Sequence, residues 1–448
     1  MFTFQIIHTE QELPVLSSDV FVEIIKADEM LHAANTTVSL VLVRTLEGAP
    51  QTFVVPVKHN EATSLLTVLS IKTWLASCIC KKYVLDKKKH LHFFDDNTVI
   101  DVNLLYFEGC GKLLDEDYDT AAHKFIKHRC YSIGNLNLAI PLLKHVEKFD
   151  TIYGQVSEII CKYGVTDFNE YLNNTFLYQL YQIEKQGLAV DPKLLQWHWK
   201  DSTKHINASH KVHTEYNILT ATGRPSNRFG GINYSALNKE SGERASFVSS
   251  ELSGYLVYYD YSAFHPRLNA TMLDYALSYD EDIYEYLGKQ LSPPISDKEE
   301  IKKLVFKLLY GGITPEYLKV DYFQRIHHFS TNLWDFFQSN GYIETPMLGR
   351  RIKKCHLTDP FPSKVFNYML QAYESEVGSQ IIGELQAYLM DKKTKLVLYQ
   401  YDGFLFDYAP SDGKGVLVEI RRIMEMNHTL PLSIKVGKNF QEMIEIRT

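Results

Sequence analysis

The sequence predicts an α/β (α+β) chain with more than one domain. Three observations carry that reading. The chain has 448 residues, enough for two or three domains. In its first third, short β-rich runs alternate with helical ones, as in VSLVLVRTL and QTFVVPVKH followed by EATSLLTVLSIKTWLASCI. In its second half, strongly β-forming runs (GYLVYYDY, KLVLYQYDGFLFDY) flank long helical stretches.

The elements follow in order. VSLVLVRTL and QTFVVPVKH, joined by EGAP, predict a hairpin, and the next stretch an amphipathic helix. YVLDKKKHLHFF and NTVIDVNLLYF come next. Residues 161 to about 210 read as helical, with a break at Gly187 and a restart after Asp191-Pro192, an N-cap followed by proline at the first helical position. TATGRPSNRFGG is turn-rich. The apolar, aromatic strand Tyr255 to Tyr259 then delivers a carboxylate, Asp260, at its end. Lys298 to Gly311 (KEEIKKLVFKLLYG) reads as a basic helix. Lys395 to Tyr408 reads as a hairpin with Asp402 at its tip, since Asp-Gly between two β-forming arms is a strong two-residue turn signal.

Composition narrows the function classes. Hydrophobic residues make up 45%, ample for a core, and no apolar run reaches the length of a membrane span. The N-terminal stretch lacks the pattern of a signal peptide, and six cysteines without paired CxxC spacing argue against zinc and for a reducing, cytoplasmic compartment. Net charge is −7 and the sequence pI about 6.2, so a nucleic-acid binder of this balance must concentrate its positive charge locally. Lys87 to Lys89, Lys298 to Lys307 and Arg350 to Lys354 are such concentrations.

Two carboxylates a few ångströms apart are what two-metal phosphoryl transfer requires, to clamp the attacking and leaving oxygens. Adjacent strands would bring Asp260 and Asp402 to one sheet edge. Between them, Lys298, Lys302, Phe306 and Tyr310 recur every four residues, so one helix face offers two cations and then two aromatics. Cations suit a triphosphate, and a ring suits a sugar or base. Taken singly, Asp402-Gly403 is a plain turn, the helix an amphipathic one with a solvated lysine edge, and Thr-Gly-Arg a surface turn. Their order and spacing give them weight: Arg224 lies 36 residues before Asp260, and Asp402 lies 142 after it.

Carboxylate strand, basic-aromatic helix and carboxylate hairpin, in this order, resemble the three polymerase motifs of family A, the DNA polymerase I family. TPMLGRRI, FNYMLQAYESEV and LPLSIKVGKNFQEM resemble further segments of that family, so the resemblance is specific over about 220 to 448 and loose before it. It implies a right-hand fold with palm and fingers (216–448, fingers about 270–345) and a reduced thumb (161–215). It implies a template-directed DNA polymerase adding dNTPs to a primer 3′ end, a compact, phage-type member. Asp260 and Asp402 would hold two Mg²⁺. Lys298 and Lys302 would bind the triphosphate, with Lys302 as general acid to the leaving pyrophosphate. Phe306 and Tyr310 would position the nucleotide. Arg224, Arg350, Asn367 and Gln371 would contact primer-template DNA. The family's glutamate that excludes ribose is replaced by His265, and its His-Asp-Glu turn becomes Tyr401-Asp402-Gly403.

Residues 1–160 resemble, more weakly, the 3′–5′ exonuclease (RNase H-like) domain that precedes many such polymerases. Glu23-Ile24-Ile25 stands where an Asp-x-Glu pair is expected, and His90 where an aspartate is. Asp115 and Asp117 read as a solvated charge run. The resemblance therefore implies a degenerate domain without proofreading, and a short thumb that an accessory processivity protein would supplement. Two other readings share parts of the pattern: a phage-type single-subunit RNA polymerase, and a non-catalytic nucleic-acid-binding protein on the same scaffold.

Overall fold

The computed structural model describes residues 3–62, 64–114, 140–426 and 428–446; Asp115 and Asp117 lie outside these. The chain forms two compact units, one of residues 1–187, 199–215 and 228–232, the other of residues 188–198, 216–227 and 233–448. No helix among the described residues is long and apolar enough to cross a membrane.

The first unit is built on a mixed six-stranded sheet. Its strands are β1 (Phe4–Ile6), β2 (Val20–Lys26), β3 (Val38–Thr45), β4 (Thr52–Pro56), β5 (Lys82–Val84) and β6 (Ile100–Asp101), in the order β1-β4-β3-β2-β5-β6. The expected β3–β4 hairpin is present and antiparallel, while β5 and β6 run parallel to β2. β2 and β3 are apolar on both faces because both are covered. On one side pack Ile71, Trp74 and Leu75 of helix α1 (Val68–Ser77), which Thr67 caps. On the other pack Val146, Phe149 and Val156 of the helix Leu142–Lys162. Helix α2 (Lys87–Phe94) is capped by Asp86 and meets the helix Leu177–Gln186, where Tyr181 Oη donates to Leu91 O at 3.1 Å. That second helix ends at Gly187, as expected, in a left-handed conformation of φ 64°.

The second unit centres on a five-stranded antiparallel sheet. β7 (Tyr255–Tyr261) is its middle strand, flanked by β9 (Gly403–Tyr408) and β10 (Leu432–Gly437), with β8 (Lys395–Gln400) and β11 (Met443–Ile446) outside. Four helices complete the frame of the site: α3 (Phe264–Met272), α4 (Lys298–Gly311), α5 (Asp321–Asn340) and α6 (Pro362–Tyr388). Asp297 caps α4, and Ile301, Val305, Leu308 and Leu309 form its buried stripe. Each such side chain contributes roughly 1.5–3 kcal/mol on burial, enough to seat the helix and leave its lysine face in solvent. Asp191 caps the helix Pro192–His198, accepting from the N–H groups of Lys193 (2.8 Å) and Leu194 (3.1 Å).

One local expectation shifts by a residue. The β8–β9 turn consists of Tyr401 and Asp402, and Gly403 already pairs with Gln400 and with Asp260. Tyr401 takes the positive φ of 66° that the glycine was expected to supply. Gly403 is needed in the ladder instead, because a Cβ there would overlap the Tyr258 hydroxyl.

Candidate active site

Strand register decides the placement of the two carboxylates. Asp260 sits on β7 opposite Gly403, and the backbone N–H of Tyr261 donates to Asp402 O at 3.0 Å. Both aspartates line one cavity of about 590 Å³, together with Arg224, His265, Lys298, Lys302, Phe306, Tyr310 and Glu374. Eight of the eleven residues picked from sequence therefore meet here: Asp260, Asp402, Arg224, His265, Lys298, Lys302, Phe306 and Tyr310.

The electrostatics of the pair differ. The hairpin tip leaves Asp402 partly open to solvent, yet desolvation by the surrounding walls, then the charges of Asp260 and Glu374, push its carboxyl up to about 6. Desolvation also raises Asp260, opposed by Lys435, Lys239, Arg244 and Lys302. Two carboxylates, one raised by burial and the other by burial and its neighbour's charge, face a single cavity and form a donor set that a hard divalent cation would relieve.

α4 presents its expected face. Phe306 and Tyr310 stack with centroids 5.7 Å apart and planes at 10°. Lys298 is paired with Asp282 at 2.5 Å across the mouth of the cavity, so an incoming anion would have to displace a carboxylate there. Lys302 is exposed one turn further along.

The wall opposite is a polar chain that sequence reading missed. Glu374, on α6, is 1% exposed. Its Oε2 lies 2.8 Å from Arg224 Nε and 3.1 Å from His265 Nε2, and its Oε1 accepts from Arg224 Nη2 at 3.2 Å. His265 Nδ1 in turn bonds the Tyr310 hydroxyl. The Arg224 guanidinium lies over the Tyr401 ring, 3.7 Å from its centroid. The run Glu374-Ser375-Glu376 places three adjacent polar side chains on this helix, and all three are buried. Ser375 Oγ donates to Gly223 O at 2.9 Å, and Glu376 accepts from Thr345 Oγ1 at 2.5 Å. Lys435, Lys239 and Arg244, the cations around Asp260, were also missed.

The remaining three sequence-chosen residues lie outside this cavity lining. Arg350 is 3% exposed; its Nη2 donates to Thr220 O at 3.2 Å, and its guanidinium fills the space a side chain at Gly223 (φ 67°) would take. It thus braces the turn that presents Arg224. Asn367 Nδ2 donates to Tyr310 O at 2.9 Å and ties the end of α4 to α6. Gln371 is half-buried one turn further along α6.

No protein-family model matches the chain. Among solved structures it is similar to the POL domain of Pol1 from M. smegmatis in complex with DNA primer-template and dNTP, with a TM-score of 0.70 and 14% sequence identity over 96% of this chain and 97% of that one. The fold is that of a polymerase domain. In this polymerase fold the candidate site occupies the edge of the antiparallel sheet, between the carboxylate strands and α4.

The first unit holds a different donor group. His32, His92 and Glu184 bring ligand atoms within 4.8 Å of one another. Two of the three residues are already engaged. Lys88 pairs with Glu184, and His32 Nδ1 accepts the Ala34 N–H at 3.2 Å, which in the neutral ring leaves the proton on Nε2. Burial, followed by the neighbouring His92 and His213, keeps His32 neutral.

Proposed function

We propose that the chain is a template-directed DNA polymerase of the family A type, adding deoxynucleoside triphosphates to a primer 3′ end without proofreading. The observation that carries this is the convergence of Asp260, Asp402 and the Lys302–Phe306–Tyr310 face of α4 on one cavity. It occurs in a fold similar to a polymerase domain bound to primer-template and dNTP. On this reading the second unit supplies palm and fingers, and 161–215 is a reduced thumb.

Asp260 and Asp402 would hold two Mg²⁺, which supply charge neutralisation for the attacking and leaving oxygens. Lys302 faces the triphosphate and donates a proton to the departing pyrophosphate. Phe306 and Tyr310 hold the nucleotide by stacking, at a gain of roughly 1–3 kcal/mol per base. Arg224 reads the minor-groove edge of the primer terminus, where every base pair offers an acceptor. Arg350 and Asn367 support Arg224 and Tyr310 from behind, and Gln371 meets the template. The short thumb leaves grip to phosphate contacts, so binding should be steeply salt-dependent and an accessory protein would extend the products. Primer extension with dNTPs, and separately rNTPs, in the presence of Mg²⁺ tests the reading. Incorporation of dNTPs alone supports it, preferential use of rNTPs would favour an RNA polymerase, and no incorporation of either would leave a binding protein.

On this reading the first unit is a degenerate exonuclease-like domain, and its local chemistry argues against excision. Lys89 Nζ donates to Glu23 Oε1 at 2.6 Å, so the one carboxylate on β2 already has a cation. His90 is 1% exposed and held down to about 3 by burial, hence neutral, and Ile25 offers no donor. The expected outcome is no metal-dependent removal of a mismatched 3′ terminus. Shortening of a labelled, mispaired primer by the purified chain would overturn this.

A further inference from the structure

We infer that Glu374 is a positioning residue for sugar selection: through His265 it fixes which way the His265–Tyr310 hydrogen bond runs, and so closes the wall of the cavity to a 2′-hydroxyl. The inference rests on the polymerase reading above and assigns a role to a residue with no part in the metal or triphosphate chemistry.

The geometry sets the proton order. Glu374 is buried and ion-paired with Arg224 through contacts of 2.8 and 3.2 Å. His265 Nε2 is buried 3.1 Å from the same carboxylate, at ion-pair distance but outside hydrogen-bond geometry, and has no hydrogen-bond partner among the described residues. A bare nitrogen lone pair facing an anion at that distance is repelled, whereas an N–H is attracted. Of the two tautomers of an imidazole, the carboxylate therefore favours the one with its proton on Nε2. Nδ1 is then an acceptor, and Tyr310 Oη must donate to it. Burial raises the Tyr310 phenol to about 12, so it carries that proton at neutral pH.

This order has a consequence at the sugar. With the phenol proton spent on Nδ1 and Nε2 buried beside Glu374, His265 offers no donor to the cavity. A ribose hydroxyl pressed against this wall would be buried without the partner that a loose histidine could give it. A site that can hydrogen-bond a hydroxyl admits it, and one that cannot rejects it. The same bond holds Tyr310 in place against Phe306, so the wall is rigid as well as closed. A histidine free to turn its N–H toward the hydroxyl would discriminate less than a glutamate; here Nε2 is buried beside Glu374. A glutamate at 265 would here point a second carboxylate at Glu374 in a buried space.

Three measurements test the inference on the full chain. The first is the ratio of dNTP to rNTP incorporation efficiency in wild type and Glu374→Gln, an isosteric change that keeps the packing. The ratio should fall roughly tenfold in the variant. The second is a cycle of His265→Glu, Glu374→Gln and the double variant. His265→Glu alone should incorporate dNTPs at least tenfold less efficiently than the double variant, because only the latter separates the two charges. The third needs no activity: ¹⁵N spectra of imidazole-labelled protein, with His265 assigned by a His265→Gln subtraction. They should show a protonated Nε2 and bare Nδ1 in wild type, and a mixed tautomer in Glu374→Gln. An unchanged ratio with an unchanged tautomer overturns the inference while leaving the polymerase reading intact. Absence of any dNTP incorporation by wild type overturns the polymerase reading instead, and the spectra then still decide whether Glu374 orders the ring.

Discussion

Asp260→Ala and Asp402→Ala are each expected to cut primer extension by on the order of 10³-fold while leaving affinity for primer-template DNA within about threefold of wild type. The two aspartates converge from paired strands on one cavity, and a carboxylate is itself no partner for a phosphate. Removing one leaves the other to hold charge that two were arranged to share. On the polymerase reading, affinity for DNA would come from cations and not from carboxylates, so it should survive, and the loss of a negative charge would favour it if anything. Single-turnover extension measures the first quantity, and fluorescence anisotropy with a labelled duplex the second. Activity near wild type in either variant would remove the two-carboxylate assignment.

The second large effect is one of pH. Asp402 sits at about 6 without metal, pushed up by desolvation and by its anionic neighbours. A ligand must lose its proton to bind a cation, so apparent Mg²⁺ affinity should fall about tenfold for each pH unit below about 6 and flatten above it. Stability supplies a control that requires no catalysis. The folded-state value lies above the ordinary 3.8, so between these limits the folded chain retains a proton that the unfolded chain has lost. The contribution of this group to stability is therefore fully present below 3.8 and is lost as pH rises through about 6. Asp402→Asn cannot lose it. Without Mg²⁺ the variant should melt higher than wild type at pH 7.5, and the difference should vanish toward pH 4. Adding Mg²⁺ at pH 7.5 should raise the Tm of wild type and not of the variant. Thermal melts of both proteins across this range check the sign, and equal melting curves at all pH values would refute it.

The parts of the fold legible in the sequence were those set by local pattern. β7, the β8–β9 hairpin and α4 announce themselves through β-forming runs, a turn dipeptide and a four-residue repeat, and these elements bring Asp260, Asp402 and the Lys298–Tyr310 face to the cavity. What stayed hidden depended on partners far away in the chain. Glu374 acquires its meaning only from Arg224, 150 positions earlier, and from His265. Arg350 and Asn367 look like surface contacts in sequence, but one fills the space beside Gly223 and the other ties the end of α4. The one-residue shift of the hairpin turn has the same origin: dipeptide preference favours glycine in the turn, and the Tyr258 side chain on the neighbouring strand draws it into the ladder.

That close approach of Tyr258 to Gly403 also constrains how the chain can change. In the resemblance to family A, the residue after the metal-binding aspartate of the hairpin is an acid; here it is Gly403. A side chain installed at this position meets the Tyr258 hydroxyl and ring within the sheet, so Gly403→Glu requires Tyr258 to swing aside or become smaller. Tyr258 in turn packs against Phe440, with ring centroids 5.3 Å apart, so moving or shrinking it opens a void in the same sheet. The glycine and the tyrosine are therefore coupled, and the substitutions this turn tolerates singly are narrower than an exposed hairpin tip would suggest.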